Sequence, residues 1–113
     1  MIINRRFPHI SNNMRPIHPG EILREELAEI GISANAFAAA IRVPANRVTG
    51  ILNGARSITA DIALMLAKYF GTTPEFWLNL QSAYDLKIAN STVGGIEKEV
   101  HAYYPGTPNS AHT

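Results

Sequence analysis

The sequence predicts an all-α fold in which five short helices share one core. Three observations carry that prediction. No segment sustains the alternation of apolar and polar residues that a half-buried strand needs. Pro and Gly fall where helices open and close. Between them, apolar residues recur three and four positions apart. At 113 residues the chain accommodates one domain with short tails, and 46% apolar residues are enough to give it a core.

Each element follows from its punctuation. The first helix starts at Pro19, a residue suited to N1 because its missing N–H is an orphan there anyway. Its apolar stripe is Ile22, Leu23, Leu27 and Ile30, and Gly31 takes the C′ role. Ser33 offers an N-cap hydroxyl to a second helix, Ala34 to about Ile41. A third begins at Pro44 and ends before Gly54. Thr59 is placed to cap a fourth, with Asp61 in its first turn and Phe70–Gly71 at its end. That helix is apolar nearly all round, which predicts a central position. Thr73, Pro74 and Glu75 open the fifth, which carries Phe76, Trp77, Leu80, Tyr84 and Ile88. None of the five is long enough to be stable alone, so they must fold together.

Composition removes several function classes. With no cysteine there is no disulfide, thiol nucleophile or thiolate metal site. The apolar run Ile62 to Ala67 falls far short of the roughly 20 residues of a membrane span, so no membrane partner is expected. Met1 to Met14 lacks the apolar stretch of a signal peptide, which makes the cytoplasm the expected location. His9, His18, His101 and His112 are scattered, so neither a metal nor another cofactor is expected. A phosphate-cradling glycine loop and a nucleophile–base pair are both lacking, which argues against an enzyme, a small metalloenzyme included.

Charge is unevenly placed. Glu21, Glu25, Glu26 and Glu29 outweigh Arg24 on the first helix. No acid then occurs from Ile30 to Ala60, while Arg42, Arg47 and Arg56 make that stretch basic. Such a basic middle suits a face that meets phosphate.

The second and third helices are joined by a turn of three or four residues, the geometry of a helix-turn-helix, whose second helix enters the major groove. Ala38 supplies the small residue where the helices touch. Phe37, Ile41, Val43, Val48 and Ile51 take the inward positions. The turn residue is Arg42 where such units usually carry glycine, at a cost of order 1 kcal/mol in the left-handed region. The outward set expected to meet DNA is Arg42, Pro44, Ala45, Asn46, Arg47, Thr49, Gly50, Asn53 and Arg56. Within it Arg47 suits a base or phosphate and Asn46 an adenine or a cap, while Arg56 suits a phosphate.

Three blocks carry a family resemblance: Arg15 to Leu23, Val43 to Asp61, and Tyr69 to Gln81. Together they resemble the HigA antitoxins, a VapI-like branch of the Xre (lambda-repressor-like) helix-turn-helix proteins, over about Met14 to Asn90. The resemblance implies a five-helix domain over residues 15–90 that binds double-stranded operator DNA as a homodimer. It also implies autorepression and neutralisation of a HigB-like mRNA-cleaving toxin. Residues 1–14 and 91–113 then form an N-terminal extension and a C-terminal tail. A stand-alone Xre repressor without a toxin, or an interaction module that has lost DNA binding, are the competing readings. Phe76, Trp77, Leu80 and Tyr84 are expected to supply both core and a surplus for the dimer interface. Glu21, Glu25 and Glu29 recur every four residues, and this acidic face, together with Met1 to Asn13, is the expected toxin-docking surface.

Overall fold

The structure, a computed structural model, describes residues 15–93 and 97–105. Five α-helices follow in order: α1 (Pro19–Ile30), α2 (Ala34–Ile41), α3 (Ala45–Leu52), α4 (Ala60–Phe70) and α5 (Pro74–Val93). A short 3-10 turn, Glu97–Glu99, comes after them. The N-terminal extension before Arg15 and the last eight residues of the expected tail lie outside the described residues. Among the described residues no helix is long and apolar enough to cross a membrane.

Local chemistry sets the helix ends. α1 is capped by His18, whose Nδ1 accepts the Gly20 N–H at 2.9 Å. The Glu21 carboxylate accepts the His18 N–H in return, closing a reciprocal cap. Arg15 holds that carboxylate through two bonds of 2.8 and 3.0 Å, keeping Glu21 below the usual carboxylate range. Ser33 Oγ accepts the Ala36 N–H at the start of α2. α3 starts one residue later than expected, because Pro44 is extended, with ψ 143°, and serves as the N-cap. Gly31 and Gly71 end α1 and α4 in the left-handed region.

The core draws on every helix: Ile22, Leu23 and Leu27 from α1, Phe37 and Ile41 from α2, Val48 and Ile51 from α3, Ile62 and Leu66 from α4, and Trp77 from α5. Phe37 and Trp77 have no exposed surface and both lean on Phe70, at 5.8 Å between ring centroids. The Trp77 indole N–H donates to Thr72 Oγ1, which satisfies the one polar atom this side chain takes inside. Ala38 lies at the α2–α3 crossing with 2% exposure, the small contact the motif needs.

Three expectations are corrected. Trp77 is wholly core, so it adds nothing to a dimer surface. Ile30, expected in the apolar stripe of α1, is exposed at the helix end, whereas Glu26, four after Ile22 and three after Leu23, falls on the inward face and is buried. α4 is not enclosed on all sides: Leu64, Met65 and Tyr69 are exposed, because only α2 and α5 pack against it substantially.

α1 and α3 approach until their backbones touch. A Cβ built on Gly20 would lie 1.9 Å from the Ile51 carbonyl oxygen, so only glycine fits there.

Two predictions arise from these ends. Burial holds the His18 imidazole below its ordinary value of 6.5, and protonation would place a hydrogen on the Nδ1 that accepts from Gly20. The contribution of this cap is therefore fully present above pH 6.5 and is lost as pH falls through the depressed folded value. Urea unfolding between pH 8 and pH 5 should show that loss, and His18→Asn should flatten the profile while costing about 1 kcal/mol or less at pH 8. A variant as pH-sensitive as the parent would remove His18 as the cause. Arg42 is the one described non-glycine residue with positive φ, at 64°. Arg42→Gly should stabilise the fold by about 0.5–1 kcal/mol, the relieved strain exceeding the added freedom of the unfolded chain; equilibrium unfolding measures it.

Candidate nucleic-acid interface

α2, the Arg42–Pro44 turn and α3 form the predicted helix-turn-helix, with Val48 and Ile51 buried and the opposite side of α3 turned outward. The expected contact residues lie on that outer side. Arg42, Pro44, Ala45, Asn46, Asn53 and Arg56 are exposed, and Arg47, Thr49 and Gly50 are half-buried. Three of them, Thr49, Asn53 and Arg47, already have side chains engaged within the chain. Thr49 Oγ1 donates to the Asn46 carbonyl at 3.2 Å, and Asn53 Oδ1 accepts from Arg24 of α1 at 3.0 Å.

Arg47 is held most firmly. Its Nη2 donates to Thr59 Oγ1 and to Asp61 Oδ1, each at 2.9 Å, and lies 2.9 Å from Asp61 Oδ2. The Thr59 hydroxyl also donates to Asp61. Thr59 thus occupies the N-cap position of α4 without making the side-chain cap expected of it. Its hydroxyl is used sideways, against the carboxylate. The Thr59 hydroxyl and then the Arg47 guanidinium hold the Asp61 carboxyl below its ordinary value.

Arg56 reaches α3 from the loop beyond it. The Ala55 and Arg56 N–H groups return to the Gly50 carbonyl at 2.9 and 3.1 Å. The Arg56 stem then lies over Gly50, where a Cβ would come within 2.7 Å of Cδ. Gly50 is therefore a seat for Arg56 as well as part of the outer face. Gly54, with φ 79°, makes the bend that turns the loop back.

The loop is pinned by residues that sequence reasoning missed. The His18 ring faces the backbone of Arg56 and meets Tyr84 edge-on at 4.9 Å. Gln81 of α5, 6% exposed, accepts the Ile58 N–H at 2.8 Å through Oε1 and donates to Asp85 through Nε2. Arg24 donates to the Leu52 carbonyl at the end of α3, a favourable place for a cation. Glu21 three residues after His18 is a capping spacing visible in the sequence; nothing local announces Gln81 or Arg24.

The acidic face of α1 is less uniform than its spacing implies. Glu25 and Glu29 are exposed, whereas Glu21 is taken by Arg15 and the cap. On α5, Phe76, Leu80 and Tyr84 are half-buried, and Phe76 stacks edge-on against Trp77 at 5.2 Å.

The helix-turn-helix family model matches residues 23–77. Virulence-associated protein I of Dichelobacter nodosus is 53% identical over 83 residues, spanning 73% of this chain and 77% of its own. An addiction module antidote protein of the HigA family from Coxiella burnetii superposes with a TM-score of 0.77 at 67% identity, over 80% of this chain and all of the other. Pseudomonas aeruginosa antitoxin HigA, solved with the higBA promoter, gives 0.75 at 48% identity, again over 80% and 100%.

Proposed function

The chain belongs to the helix-turn-helix family in its HigA-type, VapI-like branch, and from that premise we propose that it is an antitoxin that binds operator DNA as a homodimer, represses its own operon and neutralises a HigB-like mRNA-cleaving toxin. The observation that carries the DNA-binding part is the outer face of α3. There a helix fastened at both ends presents Asn46, Arg47 and Thr49, and Arg56 is laid across Gly50 beside them. A helix held this rigidly can read base edges, because its side chains arrive already placed. The relative solved with its promoter, at 48% identity, supports the same reading.

Two copies are proposed because a helix-turn-helix gains affinity and sequence length from half-sites roughly 34–36 Å apart. Phe76, Leu80 and Tyr84 of α5 remain the proposed interface, without Trp77. The toxin is proposed to dock on α1, where Glu25 and Glu29 offer acidic surface outside the helix-turn-helix. A ribonuclease that presents cations to RNA would meet that surface with favourable charge.

DNA binding is tested on a duplex carrying the chain's own promoter. Arg47→Ala should weaken binding by about 1–3 kcal/mol and relax preference at one base position. Arg56→Ala should weaken promoter and random duplexes alike and reduce the salt slope by roughly one unit. Unchanged affinity in both variants would remove the interface from this face. Toxin docking is tested with the double variant Glu25→Gln, Glu29→Gln, which leaves the α1 cap intact. Association with a HigB-like toxin should slow several-fold at low salt, with promoter binding preserved. An unaltered rate would move the docking surface off α1.

A further inference from the structure

We propose that Asp61 is a specificity-determining residue of the DNA interface: by pairing with Arg47 it withholds that guanidinium from indiscriminate phosphate contact and reserves it for a base edge. This rests on the DNA-binding reading above. The pairing joins two elements, α3 and the first turn of α4, through a 2.9 Å hydrogen bond to Asp61 Oδ1 and a 2.9 Å ion-pair contact with Oδ2. Thr59 reinforces it from the N-cap position, with its hydroxyl on Asp61 and a bond from Arg47. The carboxylate stands out in its setting. It is exposed, and it is the first acid after a stretch from Ile30 to Ala60 that contains only cations among its charged residues.

The electrostatic consequence separates two kinds of DNA contact. Arg47 and Asp61 together are a neutral unit. A phosphate carries a full negative charge, so it is drawn to Arg47 and repelled by Asp61 at nearly the same distance. A guanine edge offers neutral acceptors, O6 and N7, to which an arginine can donate with little opposition from a nearby carboxylate. Among the described residues the hydrogen bonds of Arg47 to Thr59 and Asp61 run through Nη2, so the guanidinium has further N–H groups with which to donate. Random sequence is met mainly through phosphates, and the promoter through base edges as well. Asp61 therefore lowers affinity for random DNA more than affinity for the promoter.

The experiment compares the promoter duplex with a random duplex of equal length, for the full chain and for Asp61→Asn. The variant should bind random DNA up to about tenfold tighter, with the salt slope steeper by roughly one unit. Its promoter-to-random ratio should fall several-fold. In an Arg47→Ala background the same substitution should leave the ratio unchanged, since the group it restrains is gone. Asp61→Ser should behave as Asp61→Asn does, and thermal unfolding by circular dichroism verifies that each variant is folded. Equal tightening on both duplexes, or an unchanged ratio, would reduce Asp61 to a general surface charge and overturn the proposal. A parent chain with no promoter preference would overturn the DNA-binding reading and this inference together; a parent with preference and an indifferent Asp61→Asn would overturn this inference alone.

Discussion

The imidazole of His18 joins three parts of the molecule that are far apart in sequence: the first turn of α1, the backbone of Arg56 beyond α3, and the ring of Tyr84 on α5. Each of its nitrogens is suited to one polar duty, with Nδ1 accepting from Gly20, and this requires the neutral ring that burial favours. A smaller cap such as serine would satisfy the N-terminus of α1 but would not reach the loop. The outer face of α3 leans on this junction, which adds to the hold that Gln81, Arg24 and the loop's own turn have on the segment carrying Arg56.

Much of this architecture is legible in sequence because its causes are local. Pro19, Gly31, Ser33 and Gly71 mark helix ends through backbone requirements that no distant contact can overrule. The left-handed turn at Arg42 follows from the helix-turn-helix register alone. The misreadings share a different origin. Thr59 reads as a cap until Asp61 and Arg47 compete for its hydroxyl, and Trp77 reads as surplus until Phe70, Phe76 and Thr72 enclose it. Periodicity identifies one face of α4 as buried, but it cannot say which of the remaining apolar side chains lack a neighbour. Leu64 and Met65 therefore look like core until the packing partners of α4 are known.

The candidate site divides along the same line. Arg42, Arg47 and Arg56 can be picked out as a basic stretch, since that needs only counting. How Arg47 and the loop of Arg56 are held cannot be picked out, because the restraining groups come from α4, α5 and the start of α1. Asn53 is a case in which restraint alters the meaning of the residue: with Arg24 donating to its side chain, it links α1 to the end of α3 as well as facing outward.

Gly20 leaves no side chain between α1 and α3, and the Ile51 carbonyl fills the space a Cβ would need. Two backbones in direct contact travel together, so α3 has no hinge of its own against α1. A partner seated on α1 can then change DNA affinity only by displacing the whole domain or by blocking its approach. In the proposed homodimer, control would resemble a pair of callipers whose jaws are cast solid: the measurement changes only with the gap between them.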